Sequence, residues 1–147
     1  LDGAWTTLYR SLQVAGIERY GLAASAGSAR LTGDAAANVL FGNEHANVID
    51  GGAGNDVLYD YERIASDETT HNPLDAPMSD FDTLLGGDGN DRIISRFGFD
   101  TIEGGAGSDQ IDMVRGVIRF SRGHGQDVVR LAQDARIELA AGVSSGD

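Results

Sequence analysis

Three segments of this chain carry one eight-position pattern, G-G-x-G-x-D-x-U, with U a large apolar residue. They are Gly51-Gly52-Ala53-Gly54-Asn55-Asp56-Val57-Leu58, Gly86-Gly87-Asp88-Gly89-Asn90-Asp91-Arg92-Ile93 and Gly104-Gly105-Ala106-Gly107-Ser108-Asp109-Gln110-Ile111. A fourth, Gly123-His124-Gly125-Gln126-Asp127-Val128-Val129, keeps all but the first glycine, where Arg122 stands. Stepping by nine from these anchors finds Leu22, Leu31, Leu40, Ile49 and Leu58, then, after an interruption, Leu84, Ile93, Ile102, Ile111, Phe120 and Val129, with Glu138 ending the run. An amphipathic helix would space its apolar residues by three and four, and an ordinary strand would alternate over a longer stretch. A fixed period of nine fits neither and marks a repeat architecture.

With a three-residue strand such as Val57-Leu58-Tyr59 followed by a six-residue loop, the chain turns a corner at every repeat. Two repeats then close a coil of 18 residues. Stacked coils pair strand on strand in parallel and aim the apolar station inward, so the expected fold is all-β, a parallel β-roll or β-solenoid. Between Tyr59 and Phe81 the period slips by 17 residues, which predicts a loop insertion at 60–76. The 147 residues make one module. We expect an N-terminal cap at 1–23 (Trp5, Leu8, Tyr9, Leu12 and Val14 covering the end of the ladder), repeats at 24–59 and 77–139, and a tail at 140–147. A chain running from Leu1 to Asp147 in this way is expected to be part of a larger polypeptide.

Charge narrows the partners. The net charge is −12, with 23 acids against 11 bases, all of them Arg. A nucleic-acid partner is therefore not expected. No window resembles a membrane span or a signal peptide, and zero cysteines exclude disulfides and thiolate metal sites. Of the acids, 17 are Asp and 6 are Glu. Asp is the side chain that sits in a tight turn and still presents an oxygen outward.

Such loops suit a hard divalent cation. Calcium takes about six to eight oxygens, and glycines let several backbone carbonyls turn toward one point while the position-six Asp adds charge. Coils stacked about 4.8 Å apart allow two successive loops to share an ion. The candidate ligands are Gly51, Gly52, Ala53, Gly54 and Asp56; Gly86, Gly87, Asp88, Gly89 and Asp91; Gly104, Gly105, Ala106, Gly107 and Asp109; Gly123, Gly125 and Asp127; and Asn38, which takes the Asp position of a decayed loop. About three to five calcium ions are expected on this basis.

These repeats resemble the RTX (repeats-in-toxin) calcium-binding proteins of bacterial type I secretion. The resemblance covers about residues 24–139, and Ala36-Ala37-Asn38-Val39-Leu40-Phe41-Gly42 looks like one of that family's degenerate repeats. It implies an extracellular or cell-surface protein that folds on calcium outside the cell, the repeats serving as a folding, secretion and structural unit. It does not identify the activity of the parent protein.

If the insertion replaces no strand, the loops beginning at 33, 51, 86, 104 and 122 share one edge. Asn38, Asp56, Asp91, Asp109 and Asp127 then stand at position six. The other edge has Asn47, Asp82, Asp100, Ile118 and Arg136 in loops mostly lacking glycine, with a weak site expected at Asp82 and Asp100. No enzyme is expected of this chain. His45, His71 and His124 are scattered, and neither H-E-x-x-H nor G-x-S-x-G occurs. The alternative is a recognition module for a carbohydrate or surface protein, using Tyr59, Tyr61, His71 and 72–77 of the insertion. A tolerated loop is the plainer reading of that stretch.

Overall fold

The structure, a computed structural model, describes residues 11–13, 16, 19–23, 27–61, 81–141 and 143. Its elements are short strands separated by corners: β1 (Ser11–Gln13), β2 (Arg19–Gly21), β3 (Arg30–Thr32), β4 (Val39–Phe41), β5 (Val48–Ala53), β6 (Val57–Tyr59), β7 (Thr83–Asp88), β8 (Arg92–Ser95), β9 (Asp100–Ala106), β10 (Gln110–Met113), β11 (Gly116–Phe120), β12 (Val128–Leu131) and β13 (Ala135–Leu139). Odd-numbered strands form one sheet in sequence order and even-numbered strands the other. Each strand therefore pairs in parallel with the one a full coil away, which is the expected β-roll.

The period of nine becomes the core. Leu31, Ile49, Leu84, Ile102 and Ile118 from one sheet face Leu40, Leu58, Ile93 and Ile111 from the other, all at 0–1% exposure. Each such side chain contributes roughly 1.5–3 kcal/mol by leaving water. The ladder is only one or two residues wide per coil and sheet, so its total is small for the backbone it must order. On the outer face of the even sheet, Phe41 and Tyr59 stack at 4.8 Å with Arg19 over the Phe41 ring, one aromatic per coil.

The insertion leaves the alternation of sheets intact. Ile49 pairs with Leu84 and Leu58 with Ile93, an offset of 35 residues where an ordinary coil gives 18, so the described strands keep their alternation between the sheets across the extra 17. Residues 62–80 lie outside the described residues, His71 and 72–77 among them. At the other end of the chain, β1 and β2 fall within the stretch expected as a cap and pair as strands of the roll, Leu12 opposite Leu31 and Tyr20 opposite Leu40. Trp5, Leu8, Tyr9 and Val14 lie outside the described residues.

One station moves. The spacing of nine places Phe120 opposite Ile102, whereas the structure pairs Ile118 with both Ile102 and Ile137. Ile118 is thus a core residue and not a loop position, and Arg136 lies within β13. The corner between β10 and β11 lacks the six-residue glycine loop and closes two residues early. Gly116 makes this turn at φ +125, where a methyl group would run into the backbone of Asp100. Because side chains alternate with a period of two, a two-residue shift keeps Phe120 facing inward, and it remains buried at 8% exposure. The deficit is returned in the next corner. Ile102 precedes Asp109 by seven residues, but Ile118 precedes Asp127 by nine.

Truncating the ladder tests this core. Ile102→Ala is expected to cost about 2–5 kcal/mol in the calcium-loaded protein. Phe81→Ala, at a side chain 62% exposed, should stay within about 0.5 kcal/mol. Urea unfolding midpoints check both.

Candidate metal-binding edge

On one edge of the roll the glycine loops lie directly over one another. Gly52 pairs with Gly87 and Gly87 with Gly105, while Ala53, Asp88 and Ala106 form the adjoining row. Backbone bonds join the coils: the Gly54 amide donates to the Asp88 carbonyl and the Gly89 amide to the Ala106 carbonyl, each at 2.8 Å. Contact this close requires glycine. A methyl at Gly87, whose φ is +104, would run into the Gly52 carbonyl of the coil before.

The position-six side chains form a column. Asn38 donates its amide to Asp56 Oδ1 at 2.7 Å, Asp56 to Asp91 Oδ1 at 2.8 Å, and Asp91 to Asp109 Oδ1 at 2.9 Å. Asp109 donates in turn to Asp127 Oδ1 at 2.9 Å. The loops beginning at 33, 51, 86, 104 and 122 therefore share an edge, and Asn38, Asp56, Asp91, Asp109 and Asp127 are brought together. Outside this column runs a second ladder that the sequence reading did not single out. The Asn90 amide donates to Asn55 Oδ1 and the Ser108 amide to Asn90 Oδ1, both at 2.8 Å.

The other carboxylate oxygen behaves differently. Asp56 Oδ2, Asp91 Oδ2 and Asp109 Oδ2 are buried and have no hydrogen-bond partner. Burial without a partner penalises the charged form, and the neighbouring carboxylates of the column add repulsion. Desolvation accordingly pushes the Asp91 and Asp109 carboxyls up to about 6, and raises that of Asp56. Beside each of these oxygens lies the space that a side chain at position one would fill. At Gly51 a methyl would meet both Asp56 Oδ2 and the Gly86 carbonyl, and at Gly86 it would meet Asp91 Oδ2 and the Gly104 carbonyl. A carboxylate oxygen of one coil and a backbone carbonyl of the next thus approach the same point. An all-oxygen set that lacks a positive partner fits calcium.

The opposite edge is closed by the protein's own donors. Asp100 accepts from Ser95 Oγ at 2.6 Å on Oδ2 and from the Asp82 amide at 2.9 Å on Oδ1, and Asp82 Oδ1 accepts from the Asn47 amide at 2.6 Å. Asp60 Oδ2 takes the amides of Arg96 and Phe97 at 2.6 and 2.7 Å. Asn43 holds the Ala23 and Gly27 carbonyls. Asp82 and Asp100 therefore sit together but away from the glycine column. The roles of Ser95, Asp60 and Asn43 were not read from the sequence, because none belongs to the glycine motif. Tyr61 packs edge-on against Phe97 at 5.8 Å and Tyr59 stacks on Phe41, so both aromatics named for partner recognition serve internal packing.

Residues 24–58 and 85–112 match the RTX calcium-binding nonapeptide repeat, in four copies. No curated protein and no solved structure matches the chain.

The two edges should respond differently to substitution. Asp91→Ala removes a carboxylate flanked by two well-formed loops and is expected to weaken calcium binding about ten- to a hundredfold. Asp100→Ala, on the edge away from the glycine column, should lower calcium affinity less than Asp91→Ala does, and calorimetric titration of both variants ranks the two effects. Asp60 supplies a pH test. Burial pushes its carboxyl up to about 7 from 3.8, so the folded state binds the proton more tightly than the unfolded one. The resulting stability is complete below pH 3.8 and lost as pH rises through about 7. Asp60→Asn, which keeps an acceptor for both amides, should flatten that slope in saturating calcium. A slope equal to the parent's would refute it.

Proposed function

We propose that this chain, whose repeats belong to the RTX calcium-binding family, is a non-catalytic calcium-binding module that folds outside the cell as part of a larger secreted protein. The observation that supports it is the row of three buried, unpartnered carboxylate oxygens at Asp56, Asp91 and Asp109. Residues of the loops at 51, 86 and 104 would hold the ions with Asp carboxylates and loop carbonyls, and calcium would supply the positive charge that those loops lack.

A narrow core meets a net charge of −12. Without calcium, self-repulsion along the column opposes the compact state. Three divalent ions, one for each open carboxylate oxygen, would bring the net charge from −12 to −6. The chain therefore stays largely unfolded where calcium is scarce and folds where it is abundant, the behaviour that export as an unfolded polypeptide requires. Type I secretion and an extracellular or cell-surface location are the setting in which such repeats work. Among the described residues no helix is long and apolar enough to cross a membrane. The activity of the whole protein belongs to segments other than these repeats, and a fragment assayed for lyase or protease activity is expected to show none.

Circular dichroism tests the coupling. In excess chelator the spectrum should be that of a largely unfolded chain, with strand signal gained between about 0.1 and 1 mM calcium. Magnesium at the same concentrations should recover little, because it demands tighter octahedral geometry and releases water reluctantly. A chelator spectrum already equal to the calcium-loaded one would sink the proposal.

A further inference from the structure

We infer that His124 ends the calcium file: its ring takes the place of an ion beside Asp127, so the chain binds one ion fewer than its column of acidic loops implies. The inference rests on the calcium reading above and concerns its last loop. In the three coils before it, the second oxygen of the position-six Asp has no partner. Asp127 differs. Its Oδ2 lies 3.1 Å from His124 Nδ1, while its Oδ1 receives the Asp109 amide as the column requires. Facing an ionised carboxylate, which only accepts, the imidazole nitrogen must donate. The ring is held there by Phe120, with centroids 4.9 Å apart, and the His124 and Asp127 side chains are 17% and 3% exposed.

A second observation explains why the loop at 122 is closed in this way. The two residues returned after the short corner at Gly116 fall in the first half of this loop and push it off the column. Methyl groups at Gly87 and Gly105 would run into the carbonyl of the coil before, yet at Gly123 one would meet nothing within 4 Å. Register returns only at Gly125, which stacks on Gly107, and at Gln126, whose amide donates to the Gly107 carbonyl at 3.2 Å.

Calorimetric titration with calcium chloride, with bound calcium counted after dialysis, tests this on the full chain. His124→Ala frees Asp127 Oδ2 and should raise the count by one relative to the parent. His124→Gln keeps a donor at that place and should hold the parental count. Asp127→Asn should also leave it unchanged, since Asp127 carries no ion of its own. A folded His124→Ala variant with the parental count, or an Asp127→Asn variant that loses an ion, overturns the inference while leaving calcium binding intact. A parent chain that binds no calcium overturns the calcium reading and this inference with it.

Discussion

The structure depends on a column of aspartates stacked at the spacing of the strands. Parallel pairing fixes successive coils about 4.8 Å apart, and the same spacing is imposed on Asp56, Asp91 and Asp109. Two ionised carboxylates at that distance repel by about 3 kcal/mol at an effective dielectric constant near 20. Such a column comes at the expense of the fold unless each charge meets a cation. The backbone amide that each Oδ1 accepts orients the carboxylate but leaves Oδ2 buried without a partner. The arrangement that builds the coil thus creates the demand for the ion.

The core cannot absorb that repulsion unaided. It is one or two apolar residues per strand, and its last coil is only partly covered: Val128, Leu131, Ile137 and Leu139 are 41–54% exposed. In the function proposed for this chain, the thin ladder beside a dense line of acids is what makes the folded state conditional on calcium.

The two edges answer the same geometric problem by different chemistry. Each corner must satisfy backbone groups where the strands end. On the glycine edge the chain turns tightly and presents oxygen atoms. On the other edge Ser95, Asn43, Asn47 and the amides of Arg96 and Phe97 complete the hydrogen bonds, and Asp60, Asp82 and Asp100 serve as acceptors. The same residue type therefore has opposite roles on the two edges. At Asp100 a hydroxyl faces the second oxygen; at Asp91 nothing does.

Much of this was legible in the sequence because its cause is local. Glycine at positions one, two and four together with Asp at six states the turn and its chemistry within six residues, and a period of nine states the coil. The parity of the two edges across the insertion was legible only on the condition that the 17 extra residues replace no strand, and the pairing of Ile49 with Leu84 and of Leu58 with Ile93 decided it. What counting missed is non-local. Whether Ile118 or Phe120 faces Ile102 depends on how the corner at Gly116 packs against Asp100 of the coil before, a contact 16 residues away in the chain. The nearly complete pattern at Asp127, with Arg122 for its first glycine, gave no sign that His124 would reach its carboxylate, because that contact depends on how the displaced loop sits on the coil before. The sequence by itself determined the roll and the column of acids, whose spacing is written in the repeat. Only the tertiary structure decided which oxygens are left without a partner, because a hydrogen bond between coils depends on the register of both.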